Sequence, residues 1–228
     1  MKKQFAAQFA AVSVSLSVCL ASSAFAAVTY NANLVTNGDA ETGDLTGWVS
    51  AGVEVVPSSY DPDGIIDNYS FTGALGNAAS QTLSQSIDIS TEAVLIDVGG
   101  VAFSLGAALQ NRALGGALDT VTLTLGFQDG GGSSLGQTSY SDSTHPSGVF
   151  DFDFVSDAGV LPVGARTVLL VLDFDRNTGY SSDGFADNIS FALQQVGASA
   201  VPVPAAALLF GSALGGFAAV RRRKKHNI

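Results

Sequence analysis

Between residues 27 and 196 apolar side chains recur at every second position, and no long stretch holds a 3.6-residue pattern. Successive side chains of a strand point to opposite faces, so a period of two marks half-buried β-strands. Leu83, Ile87 and Ile89 alternate with Thr82, Ser84, Ser86 and Asp88. Val121, Leu123, Leu125 and Phe127 alternate with Thr122, Thr124 and Gly126, and Phe150, Phe152 and Phe154 with Asp151 and Asp153. Val168, Leu170, Leu172 and Phe174 follow, then Ile189, Phe191 and Leu193. The apolar runs 94–98 and 101–105 read as strands with a less regular alternation. Between these runs stand turn residues, as in Asp61-Pro62-Asp63-Gly64, Asp129-Gly130-Gly131-Gly132 and Asn177-Thr178-Gly179. Glycine supplies positive φ there, and Asx side chains bond their own backbone. Roughly eight strands joined by such turns predict an all-β body, a two-sheet antiparallel sandwich or a barrel.

The ends of the chain depart from this pattern. Met1-Lys2-Lys3 precedes a mostly apolar run over residues 5–20, and Ala21-Ser22-Ser23-Ala24-Phe25-Ala26-Ala27 follows. A basic start, an apolar middle and small residues at Ala24 and Ala26 predict a helical signal peptide over residues 1–26, cut after Ala26. Lipoprotein processing at Cys19 would want a small residue before it, where Val18 stands. At the other end, a linker with a proline motif (197–204) leads into residues 205–220, which carry no charge, and a basic tail (221–228). Sixteen helical residues reach about 24 Å at 1.5 Å per residue, a little short of a hydrocarbon core of about 30 Å. The prediction is a short transmembrane helix softened by Gly211, Gly215 and Gly216, with Arg221, Arg222 and Arg223 held on the cytoplasmic side.

The body, residues 27–196, holds all 20 acidic residues of the chain against only Arg112, Arg166 and Arg176, a net charge of −17. Such a surface repels nucleic acid and anionic lipid and favours cations. Its length suits one domain with a sizeable core. Once the signal is removed no cysteine remains, so stability falls to packing, with or without a metal.

The tail resembles the PEP-CTERM sorting signal of Gram-negative bacteria. Val201-Pro202-Val203-Pro204-Ala205-Ala206 stands for its proline entry, Leu209-Phe210-Gly211-Ser212 for its apolar helix, and residues 221–225 for its basic cluster. Val203 occupies the place where the family name has glutamate. The resemblance implies processing by an exosortase at the inner membrane, then delivery to the cell surface or an exopolysaccharide matrix. Within the body, Asn33-Leu34-Val35-Thr36-Asn37-Gly38-Asp39-Ala40-Glu41 through Gly47-Trp48, paired with Asp183-Gly184-Phe185-Ala186-Asp187-Asn188-Ile189, looks like the galactose-binding-like jelly rolls that include many carbohydrate-binding modules. Ala40 replaces the usual aromatic. The resemblance implies that first and last strands run side by side, so that Glu41 and Asp187 meet across 146 positions and hold a structural Ca²⁺ with nearby carbonyls, as hard oxygen ligands can. The position of Trp48 in this motif favours a core anchor over a sugar platform.

Other motifs read as structure. Gly132-Ser133-Ser134-Leu135-Gly136 fits Gly-x-Ser-x-Gly, but a glycine run precedes it and a β-like segment follows, where a nucleophile elbow needs strand and helix. His145, the body's one histidine, sits in the loop Ser143-Thr144-His145-Pro146. Asp151/Asp153 and Asp173/Asp175 share faces at roughly 6.5–7 Å between Cα atoms, a spacing open to glycoside hydrolysis; a wet outer face opposite Phe152 and Phe174 is the expectation. Residues 61–68 lack the spacing of an EF-hand loop and read as a polar turn or an irregular Ca²⁺ loop. The functional expectation is a noncatalytic exported surface or matrix protein that binds polysaccharide. The alternatives are a structural or adhesive matrix component without specific sugar binding and a secreted hydrolase; fold alone does not choose among them.

Overall fold

A computed structural model describes residues 28–60, 67–73, 78–114, 117–141, 151–177, 179–180 and 182–196. The signal segment with Ala24 and Ala26, the sorting tail, His145 and most of the 61–68 loop lie outside the described residues. Among the described residues no helix is long and apolar enough to cross a membrane.

Among the described residues, eleven strands form the body: β1 (Val49–Ala51), β2 (Glu54–Pro57), β3 (Tyr69–Thr72), β4 (Ser80–Asp88), β5 (Val101–Gln110), β6 (Arg112–Leu114), β7 (Ala117–Gln128), β8 (Ser134–Ser141), β9 (Asp153–Val160), β10 (Thr167–Asp175) and β11 (Phe185–Gln195). One sheet runs β1-β4-β10-β7-β6, with β8 also on β7; the other runs β2-β3-β11-β5-β9. Every named strand pair is antiparallel. The expected two-sheet jelly-roll sandwich is what the chain forms, because the alternating positions meet face to face. Leu83, Val121, Leu123, Leu125, Leu170, Leu172 and Phe174 from the larger sheet are buried against Phe71, Leu105, Leu109, Phe191 and Leu193 from the smaller. Phe103 stacks on Phe191 at 5.7 Å between ring centroids and tilts against Phe127 at 5.3 Å. Each such side chain contributes about 1.5–3 kcal/mol by leaving water.

The N-terminal motif closes the sandwich. Residues 31–38 run antiparallel beside β11, through bonds from Asn31 N to Leu193 O, Leu34 N to Phe191 O and Ile189 N to Gly38 O. Asn33 adds its amide on both sides, accepting from Phe191 N and donating to Ile189 O. Only glycine fits at position 38, where a Cβ would lie 2.0 Å from the Ile189 carbonyl oxygen. Gln85 of β4 then clamps the loop to the other sheet, accepting from Thr36 N and donating to Thr36 O.

Two strand readings are corrected. The run 94–98 is the helix α1 (Ala93–Asp97), not a strand. Its end is set by Gly99 at φ 70°, whose N–H reaches Ile96 O while Gly100 N–H reaches Leu95 O. That is a Schellman closure, which an apolar run followed by two glycines can make. On β9 the alternation is inverted: Phe154 faces outward at 76% exposure, and Asp153, Val155 and Asp157 face the rim of the core. The cause is an edge. β8 and β9 are the outer strands of opposite sheets, and Tyr140 of β8 donates its hydroxyl to Asp157 of β9. An inward carboxylate on an edge strand also discourages pairing with other chains.

Candidate functional site

The closure of the N-terminal motif on β11 brings Glu41 and Asp187 to the same strand. Glu41 Oε1 accepts from Asn68 N at 2.8 Å and Tyr69 N at 2.9 Å, and Oε2 from Asn68 Nδ2 at 2.7 Å. Asp187 Oδ2 accepts from Ser70 Oγ at 2.8 Å and Oδ1 from Asn188 N at 2.6 Å. So Glu41 holds the start of β3 and Asp187 its second residue. A break in register between Asp187 and Ser190, with Asn188 at φ 51°, turns the carboxylate toward β3. Asp187 is 1% exposed. Burial pushes its carboxyl up to about 7, and the charges of Glu41 and Asp67 push the same way, against the bonds from Ser70 and Asn188. Glu41 shifts the other way, held below the usual range chiefly by the Asn68 side chain.

Among the described residues, the groups that act on Asp187 include two other carboxylates and no cation. A hard divalent cation suits that donor set. Among the described residues, no three His, Cys, Asp or Glu side chains form a group that could hold a metal ion by themselves. Any ion there would need backbone carbonyl or other oxygens to complete its shell.

Asp187 belongs to a longer row. Phe154 of β9 stands opposite Ala108 of β5, Ala108 opposite Asp187 of β11, and Ser70, bonded to Asp187, opposite Val56 of β2. This is the outer face of the five-stranded sheet. Ala108, Ser70 and Val56 are buried there, and Phe154 is open at the end of the row. The next rows are Ser156–Gly106–Ser190, Ala158–Ser104–Ala192 and Val160–Ala102–Gln194. These three rows on three strands, with Phe154 at one corner, make an open surface about 10 by 13 Å. It presents small hydroxyl and methyl groups, a phenyl ring and no exposed charge. The outer face of the six-stranded sheet differs. Asp173 stands there between Thr82 and Thr122, two residues from Asp175. Partial burial first, and Asp175 second, raise the Asp173 carboxyl.

Trp48 is the core anchor expected. It is buried edge-on to Phe71 at 5.4 Å, and its Nε1 donates to Asn37 O. Gly132 to Gly136 form no elbow: Asp129 gathers the N–H groups of Gly131 and Ser133 into a hairpin turn, and Ser134 already begins the exposed strand β8. Asp151 is exposed as expected, whereas Asp153 turns inward with the inverted strand. The outward Phe154 escaped the sequence because its neighbours alternate in either phase; Tyr140 opposite Asp157 was the available signal. Two further features went unread. Among the described residues, the buried Gln81 amide and the buried Ser182 hydroxyl have no hydrogen-bond partner. Tyr180 projects from the β10–β11 loop, whose Arg176 donates to the Tyr180 carbonyl.

No protein-family model matches the chain, and no curated protein matches it. Solved structures do. The enzymatically active domain of bacteriophage CBA120 tailspike protein 4 is 20% identical over 71% of this chain, with a TM-score of 0.51; the chain spans 21% of that protein. TmCBM61, solved with β-1,4-galactotriose, is 19% identical over 72% of this chain and 99% of its own, with a TM-score of 0.48. A family 16 carbohydrate-binding module is 17% identical over 70% and 99%, with a TM-score of 0.49. At such identities the likeness is one of fold.

Proposed function

We propose that this chain is a noncatalytic exported protein that binds polysaccharide on the outer face of its five-stranded sheet. Its tail would hand it to an exosortase at the inner membrane for delivery to the cell surface or matrix. The observation that carries the binding reading is the charge-free surface ending at Phe154, in a body of net charge −17. A flat array of small hydroxyls and methyls admits a sugar chain closely, and an exposed ring offers apolar area to a pyranose face. Glu41 and Asp187 would hold a structural Ca²⁺, whose charge would keep Asp187 ionised and tie the N-terminal motif to β3 and β11. The sorting reading is supported by the order of proline entry, apolar segment and basic cluster in residues 201–225.

A glycan array probed with the 27–196 fragment, with Ca²⁺ and with chelator, tests the binding. Phe154→Ala should abolish retention without changing the β-rich circular dichroism. No binding by the parent fragment would leave a structural matrix role; unchanged binding by the variant would move the site. Deleting residues 201–228 should release the body into the medium. Identical fractionation of truncated and full chains would remove the sorting reading.

A further inference from the structure

Among the described residues, the end of the sandwich where the chain leaves the body gathers five exposed valines. Val94 in α1 and Val98 at its C-terminal cap are 80% and 76% exposed, Val163 in the β9–β10 loop is 66% exposed, and Val160 and Val196 are also open. Hydrogen bonds draw these segments together. Gly100 N reaches Leu95 O, Val196 N reaches Gly100 O, Leu161 N reaches Val101 O, and Gly164 N reaches Asp97 Oδ1. Within the patch, Arg166 donates to both oxygens of Asp97, at 3.1 and 2.8 Å. Glu92 beside it takes the hydroxyl of Tyr30. Exposed valines gathered at one end, in a body otherwise this acidic, call for a partner.

We infer that this valine end is a membrane-docking surface, which rests the body on the zwitterionic lipid interface while the tail is anchored. The inference rests on the reading of residues 205–220 as the anchor. Two observations choose the occupant. The chain leaves from the patch itself at Val196, and only the eight residues 197–204 stand before the apolar segment. They span at most about 26–29 Å, so the end that bears Val196 is held nearest the bilayer. The body's net charge of −17 is repelled by anionic headgroups, so an uncharged, zwitterionic interface is the one this end can approach. Four or five valines make a weak contact alone, but tethering turns docking into an intramolecular step at high effective concentration. Docking would hold the 201–204 motif close to the membrane, where a membrane processing enzyme meets it.

The test uses the full chain reconstituted through its tail into phosphatidylcholine vesicles. An environment-sensitive fluorophore is placed at Val163→Cys, or at Tyr180→Cys on the opposite end of the sandwich, and a quencher is carried in the lipid. Quenching at 163 with none at 180 is the expected result, as is its loss in Val94→Asp/Val98→Asp while flotation persists. Both substitutions sit on exposed positions, and unchanged circular dichroism confirms the fold. Adding anionic lipid should weaken quenching at 163. Equal solvent exposure of both labels in chains that float with the vesicles overturns docking alone. Chains that do not float overturn the anchor reading, and docking with it.

Discussion

Asp187 is a carboxyl whose folded state prefers the proton. Its folded value of about 7 lies above the unfolded value, so the folded protein binds a proton that the unfolded chain has released between roughly pH 4 and 7. In the cation-free protein its contribution is full below about pH 4 and falls as pH rises towards 7, by on the order of 4 kcal/mol. Chelated protein should therefore melt lower at pH 7.5 than at pH 5, and Asp187→Asn should flatten that difference. Ca²⁺ should act oppositely, because it binds the ionised form. At a hundredfold excess over Kd it would add about 2.7 kcal/mol, or several degrees at about 2–4 °C per kcal/mol. Asp187→Asn should abolish most of the calcium response, and Asp151→Asn, on an exposed carboxylate, should leave it. Equal melting curves with calcium and with chelator would remove the metal; loss of the response in the Asp151 variant would put the metal elsewhere. Trp48 is a packing residue by the same reasoning. Trp48→Ala should cost about 3–5 kcal/mol, and Trp48→Phe less, since a ring remains against Phe71 while the bond to Asn37 O is lost.

The edge strands carry their own prediction. Tyr140 and Asp157 join β8 to β9, and burial first, then Asp157, pushes the Tyr140 hydroxyl up to about 12, so it remains a donor through neutral pH. Tyr140→Phe should cost about 1–2 kcal/mol, as for a bond to a charged acceptor near the surface. Amide exchange in β8 and β9 should speed up before β4, β7 and β10 respond; a uniform change over all strands would show that the latch is not local. These central strands are also the ones that could be read in the sequence. Each lies between two others and buries one face, so Leu83, Leu123 and Leu172 announce themselves by their period. β9 could not be read so, because an edge strand has one neighbour and can turn Asp157 inward when a tyrosine opposite donates a hydrogen bond to it. The short strands β1, β2 and β3 are too brief to show a period. α1 was hidden by β-branched residues whose helical end depends on Gly99. The placement of Glu41 and Asp187 beside β3 follows from motifs visible in the sequence, whereas the face ending at Phe154 depends on strand order and could not be read there.

Taken whole, the molecule separates charge from its proposed binding face. Its acidic residues crowd the body, yet the rows from Ser156 to Gln194 carry none. A neutral polysaccharide laid on those rows meets short-range contacts only, which salt does not screen. An acidic polysaccharide meets the field of the whole body, which reaches about 30 Å at 0.01 M salt and about 10 Å at 0.1 M. Retention by a neutral glucan in affinity electrophoresis should therefore stay constant as salt rises across that range. Retention by an acidic polymer such as alginate should be weakest at low salt and increase with salt, with free Ca²⁺ held fixed because a bridging cation would mimic attraction. Phe154→Ala should remove the neutral binding at every salt concentration, since the ring contributes contact rather than charge. Stronger binding of the acidic polymer at low salt would show that a cationic or metal-bridged site, and not the uncharged sheet face, does the recognising.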